Sequence, residues 1–286
     1  MVAALIFTAL LAEFLLYALA GVAMSWAFGM PPLAGAAIAL AGMLALRIAL
    51  FGGVREAYAL LVLFTWGQIV QRWTAPCDPP RVERGVLPVL FVHGIYCNAG
   101  IWRRQLAFLR RRRVPNLFAM NLEPPFAGID RFARQLAARA EEVCRAAGTR
   151  QLVVIAHSMG GLVARAWIAR LGGASRAARL VTIASPHHGS RRVLRAPGRC
   201  AADMALNGDW LARLQTDETR APCVTAVSIY SQADELVVPA ESARLEGARN
   251  VALERLGHLE LLLAPRVHEI VEAEITSARS EPPSGA

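Results

Sequence analysis

The sequence predicts an α/β fold in which a mostly parallel sheet is covered by helices on both faces and is preceded by apolar helices. Three observations carry this prediction. After residue 86, short β-branched apolar runs alternate with longer segments of helical periodicity, a pattern typical of parallel sheets. One run, 153–156, passes at once into a helical pattern through a serine at position 158. The chain is 55% hydrophobic with a mean hydropathy of +0.37, and the excess lies at its front.

The front of the chain reads as a membrane anchor covering residues 1–72. Two apolar runs, 2–28 and 33–51, each reach the roughly 20 residues needed to span a bilayer. The Met30-Pro31-Pro32 turn between them predicts a helical hairpin. Glu13 is the only charge in the first run, and it is either a polar contact inside the hairpin or a functional group. A secretory signal peptide is the alternative, but early basic residues are missing and a second run follows.

The side of the membrane depends on a third apolar segment, 57–70, which is short for a span at about 14 residues. With two spans, the arginines Arg47, Arg55 and Arg72 all flank the end that leads into the rest of the chain. The positive-inside rule then predicts that the remaining domain is cytoplasmic. A third span over 57–70 would reverse this orientation.

The remaining elements follow in order from residue 73 to residue 278. We predict strand 86–92, helix 101–112, strand 116–121, helix 129–147, strand 151–156, helix 159–171 and strand 180–184. The stretch 191–222 reads as irregular and is expected to cap a pocket, with Trp210, Leu211 and Leu214 either as its apolar underside or as ordinary packing. Strands 224–230 and 250–253 and helix 265–275 complete the domain, and a polar tail over 279–286 is expected to be disordered.

Ser158 is the candidate nucleophile because it lies on a predicted strand-to-helix turn between small residues. A nucleophilic serine needs such a sharp turn to hold its Oγ clear of the backbone. Ala156 and Gly160 stand two residues before and after it, so the pattern is A-x-S-x-G rather than the usual G-x-S-x-G. The start of the helix would offer the Met159 backbone N–H to an oxyanion.

A second oxyanion donor is expected at the end of strand 86–92. The glycine of His93-Gly94-Ile95 lets the backbone turn toward the nucleophile, and the main-chain N–H of Ile95 is the candidate donor. His93 reads as a residue that braces this loop.

His258 and Asp234 are the candidate base and acid. In this architecture the order is serine, acid, histidine, and His258 follows a short strand in Leu256-Gly257-His258. Asp234 comes four residues after strand 224–230, and the neighbouring Glu235 is not excluded by position. The other histidines fit less well. His93 and His157 precede the serine, His187 and His188 come before any suitable acid, and His268 is expected on a helix surface.

These residues together resemble the α/β-hydrolase superfamily, in particular bacterial triacylglycerol lipases and related esterases. The matching words span roughly 86–275 and include Phe91-Val92-His93-Gly94, Ala156-His157-Ser158-Met159-Gly160-Gly161, Thr182-Ile183-Ala184-Ser185-Pro186-His187-His188-Gly189, Asp234 and Gly257-His258. The resemblance implies a hydrolase of carboxylic esters, lipid acyl esters in particular, that works through an acyl-enzyme without cofactor or metal. The apolar front of the chain adds the expectation of a bacterial inner-membrane location.

Two other functions stay open: acyl transfer on the same fold, and a non-catalytic membrane transport or scaffold component. Neither the acyl chain length nor the oligomeric state follows from the sequence.

The charged and sulfur-containing residues add little chemistry. All 31 basic residues are arginines and the net charge is +9. The runs at 103–104 and 110–113 read as a solvated helix face or as a surface for anionic lipid, and no nucleic-acid recognition motif accompanies them. The five cysteines form no CxxC pair, so no zinc ribbon is indicated. Cys144 is expected in the core, and Cys200 and Cys223 would pair only in an oxidising compartment.

Overall fold

The computed structural model describes residues 78–281 and, apart from these, only Leu19. The predicted spans, the segment 57–70 and residues 282–286 otherwise lie outside the described residues. Among the residues that are described, no helix is both long and apolar enough to cross a bilayer.

A six-stranded parallel sheet forms the centre of the domain. Its strands are β1 (Val89–Val92), β2 (Leu117–Met120), β3 (Leu152–His157), β4 (Ala177–Ile183), β5 (Ala226–Ser231) and β6 (Arg249–Leu253). The order across the sheet is β2-β1-β3-β4-β5-β6, and every neighbouring pair is parallel. Every residue of β1 and β3 is buried, which explains why these strands read as continuous apolar runs rather than alternating ones.

Helices cover both faces of this sheet. They are α1 (Arg103–Arg111), α2 (Ile129–Ala147), α3 (Met159–Arg170), α4 (Arg199–Asp203), α5 (Asp209–Glu218) and α6 (Pro265–Ser280). Alternate residues of one strand enter different apolar clusters. Val154 packs with residues of α2, α3 and α5, while Val153 packs with residues of α1 and α6. The predicted two-sided α/β architecture is therefore confirmed.

Helix α2 has the bounds that the sequence predicted. Its buried face repeats with helical spacing, as at Phe132, Leu136, Ala140 and Val143. The helix ends at Gly148, whose φ of 66° is the left-handed conformation that terminates helices at little cost when the residue is glycine.

The stretch 191–222 is not irregular, contrary to the prediction. It contains a short 3-10 helix (Arg192–Arg195) and the helices α4 and α5. Helix α5 turns Trp210, Leu211 and Leu214 into the same apolar cluster as α2 and α3, where all three are buried. These side chains therefore belong to the core, and their burial is what holds so short a helix in place.

The C-terminal end also differs from the prediction. Helix α6 continues to Ser280, and the Arg279 guanidinium donates to the carbonyl oxygens of Leu87 and Pro115. Residues 279–281 are thus tied to the domain rather than disordered. His268 is buried instead of exposed, because its ring packs against Phe108 and its Nε2 bonds the Leu262 carbonyl oxygen at 2.9 Å.

The arginines of α1 form a solvated face. Arg103, Arg104 and residues 110–113 are exposed, while Leu106 and Leu109 on the same helix are buried. Cys144 is buried as expected. Cys200 and Cys223 are both free, Cys200 buried and Cys223 exposed, so the disulfide considered from the sequence is not formed.

Candidate active site

Ser158 lies at the turn between β3 and α3 in a conformation that few residues adopt. Its φ is 53° and its ψ is −126°, and it directly precedes the first residue of α3. The turn is held by a hydrogen bond from the Ser158 N–H to the Ile183 carbonyl oxygen at 2.9 Å. Strain of this kind persists where the surrounding structure enforces it, and it recurs at sites of chemistry.

Glycines let other chain segments approach this turn closely. A Cβ on Gly160 would stand 2.7 Å from the Val92 carbonyl oxygen and 2.8 Å from that of His93, and both are backbone atoms. A Cβ on Gly94 would stand 2.9 Å from the Cβ of Ser158. Strand β1 and its following loop therefore contact the serine turn directly, as the small residues in the motif predicted.

His258 and Asp234 come together beside this turn. The Nδ1 of His258 donates to the Oδ2 of Asp234 at 2.8 Å, and both side chains are almost fully buried. The other carboxylate oxygen of Asp234 accepts the N–H groups of Leu236 and Val237 at 2.8 and 2.9 Å. Asp234 rather than the half-buried Glu235 is thus the carboxylate that contacts the imidazole.

One cavity of about 230 Å³ contains the serine and the histidine. Ser158 and His258 both line it, and most of the other lining side chains are apolar. The apolar set is Ile95, Pro186, Val193, Ala196, Met204, Leu236, Val237 and Leu259. Sequence reasoning missed Arg192, Val193 and Met204, which reach the cavity from the stretch expected only to cover it.

Of the two predicted oxyanion donors, Ile95 lines this cavity, and Met159 directly follows the lining residue Ser158. Met159 is the first residue of α3, so its N–H has no acceptor inside the helix. Ile95 lies in the loop after β1 and lines the cavity. In the described part of the chain, neither N–H donates to another main-chain carbonyl. Both remain available to a ligand oxygen.

His93 braces the loop that carries Ile95. Its Nδ1 donates to the Gly94 carbonyl oxygen at 2.8 Å, and its Nε2 accepts the Leu122 N–H at 3.0 Å. Burial lowers the pKa of His93 to about 4, so the ring is neutral at pH 7 and keeps both bonds. The expected bracing position is the one observed.

The ring of His157 packs against the ring of His258, a contact that the sequence did not indicate. The two ring centroids are 4.9 Å apart, and the Trp102 ring lies nearly perpendicular to that of His157 with its centroid 6.4 Å away. Burial, followed by the nearby His258, holds the pKa of His157 well below its usual range. A neutral ring here packs against His258 without placing a second positive charge beside it.

The adjacent His187 and His188 make separate structural contacts. The Nε2 of His187 is 3.0 Å from the Thr182 hydroxyl, and the carbonyl oxygen of His187 accepts from Arg165 at 2.7 Å. The Nε2 of His188 instead lies 3.2 Å from a carboxylate oxygen of Glu246. Across the described residues, no group of three His, Cys, Asp or Glu side chains is arranged to hold a metal ion.

Buried neutral histidines predict that acid destabilises the domain. The pKa values of His93, His157 and His187 are all lowered by burial, so the unfolded chain binds more protons than the folded one below about pH 6.5. The contribution of these histidines to the free energy of unfolding is therefore fully present above pH 6.5 and is lost as the pH falls. For His93, with a folded pKa of about 4, the loss by pH 5 is about 2 kcal/mol.

Urea unfolding at pH 7.5, 6 and 5 would measure this dependence. The His93→Asn variant, which has no titrating ring at this site, should show a shallower fall in the free energy of unfolding. A free energy of unfolding that is flat over this range would contradict the buried, neutral state of these rings.

The described domain is similar to a known family model and to solved lipase structures. A family model described as palmitoyl protein thioesterase matches residues 88–223, which include Ser158 and end before Asp234. The mature form of a lipase from Bacillus licheniformis aligns with a TM-score of 0.60 at 15% identity, over 70% of this chain and 96% of that one. Lipase B from Aspergillus fumigatus aligns with a TM-score of 0.62 at 18% identity, over 72% of this chain and 56% of that one. These likenesses establish the α/β-hydrolase fold for the described domain.

Proposed function

We propose that this chain, which has the α/β-hydrolase fold, is a serine hydrolase that cleaves carboxylic esters, lipid acyl esters in particular. The observation that carries the proposal is the buried His258–Asp234 pair at 2.8 Å, which shares one cavity with the strained Ser158. Nucleophile, base and orienting acid are thereby gathered at one end of the sheet.

The mechanism follows from these positions. The Oγ of Ser158 attacks the ester carbonyl carbon while the Nε2 of His258 takes its proton. The N–H groups of Ile95 and Met159 donate to the carbonyl oxygen as it becomes negative. The tetrahedral intermediate collapses, the leaving oxygen takes the proton from His258, and the acyl group stays on Ser158. Water, activated by the same histidine, then releases the acid and restores the serine.

The electrostatic arrangement supports this assignment of roles. Asp234 is fixed by two main-chain N–H groups as well as by His258. It therefore holds the tautomer in which Nδ1 of His258 carries the proton and Nε2 is free to accept one. The neutral His157 behind the ring adds no charge that would oppose the imidazolium formed during the reaction.

The walls of the cavity support an acyl substrate. Apolar side chains from several separate segments line the cavity that contains Ser158, and they leave few polar groups for a sugar or peptide to bind. The similarity of residues 88–223 to a palmitoyl protein thioesterase model also favours an acyl group, with a thioester as the second candidate bond. The leaving sulfur would follow the same steps as the ester oxygen.

A non-catalytic transport or scaffold role explains fewer observations. A strained serine and a desolvated acid–histidine pair both cost folding free energy, and a non-catalytic scaffold has no need of either. Acyl transfer differs from hydrolysis only in which nucleophile takes the acyl group from Ser158, so it is a variant of the same proposal.

A chain-length series of nitrophenyl esters, from acetyl to palmitoyl, tests the function. We expect the purified protein to hydrolyse at least part of the series, with a rate that depends on chain length because the acyl group occupies an apolar cavity of limited volume. The Ser158→Ala variant is measured beside it. Equal rates for the two proteins would refute the proposal.

We further propose that residues 1–51 anchor the enzyme in a membrane, with the catalytic domain on the cytoplasmic side. Two apolar runs long enough to span a bilayer support this. Because apolar burial is insensitive to charge screening, full-length protein in membranes should resist extraction by salt and by alkaline carbonate. Its release by carbonate would show that the front is not integral. A second test fuses a reporter that is active only in the periplasm after Ala286. Activity of this reporter would show that the catalytic domain lies on the opposite side of the membrane from the one proposed.

A further inference from the structure

We infer that the substrate carries a phosphate group on its leaving side and that Arg192 binds this phosphate at the active-site cavity. The inference rests on the proposed function, because it names the class of ester or thioester that the Ser158 site cleaves. The motif residues indicated neither Arg192 nor a phosphate on the substrate.

Arg192 is chemically distinct among the side chains that line the cavity. The wall is otherwise built from apolar residues, the catalytic candidates and neutral groups such as Tyr96 and Cys97. Burial holds the thiol pKa of Cys97 at about 12, so this cysteine contributes no charge. Arg192 therefore supplies a permanent positive charge beside a mostly apolar surface.

The guanidinium of Arg192 has no carboxylate partner in the part of the chain that the structure describes, and the residue is exposed. Other arginines nearby are paired. Arg165 makes two 2.8 Å bonds to Glu218, and Arg199 lies 3.0 Å from Asp203. Arg191 and Arg192 are adjacent, and the stretch 191–199 contains no acidic residue, so the local field favours an anion.

The backbone that carries Arg192 is fixed to the loop after Asp234. The Ser190 hydroxyl donates to the Leu236 carbonyl oxygen at 2.7 Å and accepts the N–H groups of Arg192 and Val238, each at 3.1 Å. The Arg191 N–H donates to the Val238 carbonyl oxygen at 2.9 Å. The main chain at Arg192 is therefore fixed at the rim of the cavity before the substrate arrives, which lowers the part of the ordering cost that comes from the backbone.

A substrate with an acyl chain and a phosphate on its leaving group matches both the apolar wall of the cavity and the charge of Arg192. The apolar wall takes the acyl chain, and the predicted oxyanion donors bind the carbonyl oxygen. The guanidinium presents paired N–H groups that fit phosphate oxygens. A leaving group such as glycerol would gain nothing from this charge. Phospholipid headgroups and acyl thioesters of phosphorylated carriers share the required chemistry.

Two matched substrate pairs test the inference with full-length protein. One pair is octanoyl-coenzyme A and octanoyl-pantetheine, and the other is octanoyl-lysophosphatidate and monooctanoylglycerol. The readout is the ratio of kcat/KM between the phosphate-bearing and uncharged members. We expect a ratio above about 10 in at least one pair, and the pair that shows it identifies the source of the phosphate.

Variants at position 192 assign the preference to this side chain. Arg192→Gln should lower the ratio about 10-fold, mainly through KM, and Arg192→Lys should retain part of it because the charge remains. The ratio should also fall with added salt. Arg213→Gln, which removes another exposed arginine that lies outside the cavity lining, should keep the wild-type ratio.

The outcomes separate this inference from the proposed function. Hydrolysis of both members with a ratio near one, or an equal loss on both in Arg192→Gln, would overturn the inference and leave the hydrolase assignment intact. A Ser158-independent rate, or no hydrolysis of any ester or thioester, would overturn both.

Discussion

Replacing Ser158 with alanine is expected to lower kcat by roughly 10³-fold or more. The variant loses the atom proposed to form the acyl-enzyme, while the proposed oxyanion donors and the cavity remain. The change removes one hydroxyl from a buried turn and adds no bulk, so the fold should survive. Initial rates on the best nitrophenyl ester, together with a thermal melt of each protein, would measure both effects.

A matched control distinguishes the nucleophile from a general effect of removing a serine. Ser175 is exposed and only donates to the Gly172 carbonyl oxygen. Ser175→Ala should keep the wild-type rate. If Ser158→Ala kept its rate as well, another group would have to be the nucleophile.

Replacing Asp234 with asparagine is expected to lower kcat by about 10⁴-fold. The remaining Oδ1 can still accept the N–H groups of Leu236 and Val237, so the loop should stay in place. The new amide, however, disfavours the imidazole tautomer with a free Nε2. Steady-state kinetics and circular dichroism of the variant would check the loss and the retained fold.

The neighbouring carboxylate provides the control for this prediction. Glu235 is half-buried and adjacent in sequence, so Glu235→Gln removes the same charge one residue away. We expect little effect on kcat. A damaging Glu235→Gln together with a mild Asp234→Asn would show that the wrong carboxylate has been assigned.

The sequence predicted best where local pattern and burial agree. Helix α2 has a regular apolar face and a terminating glycine, and both of its bounds were found. Strand β4 begins at Ala177 rather than at residue 180, because Ala177, Ala178 and Arg179 are weak strand formers that only pairing with β3 holds extended. The helices within 191–222 were missed because they are short and are stabilised by tertiary burial.

Within the candidate site too, residues with a local sequence pattern were predicted, whereas residues placed by tertiary contacts were not. The strained turn at Ser158 has a local signature, so one stretch of sequence indicates it. The choice of Asp234 over Glu235 depends on which carboxylate meets two backbone N–H groups and a histidine 24 residues away. The places of His157 and Arg192 depend on chain segments that meet only after folding, and no sequence spacing reports such contacts.

Covalent labelling at Ser158 is the most direct test of whether this residue is the nucleophile of a serine hydrolase. Purified protein is treated with a fluorophosphonate, digested with trypsin and mapped by mass spectrometry. The tryptic peptide of residues 151–165 contains one serine, so a single adduct on this peptide identifies its site. We expect that adduct in the wild type and its loss in Ser158→Ala. An adduct elsewhere that persists in the variant, or no adduct in the folded wild type, would contradict it.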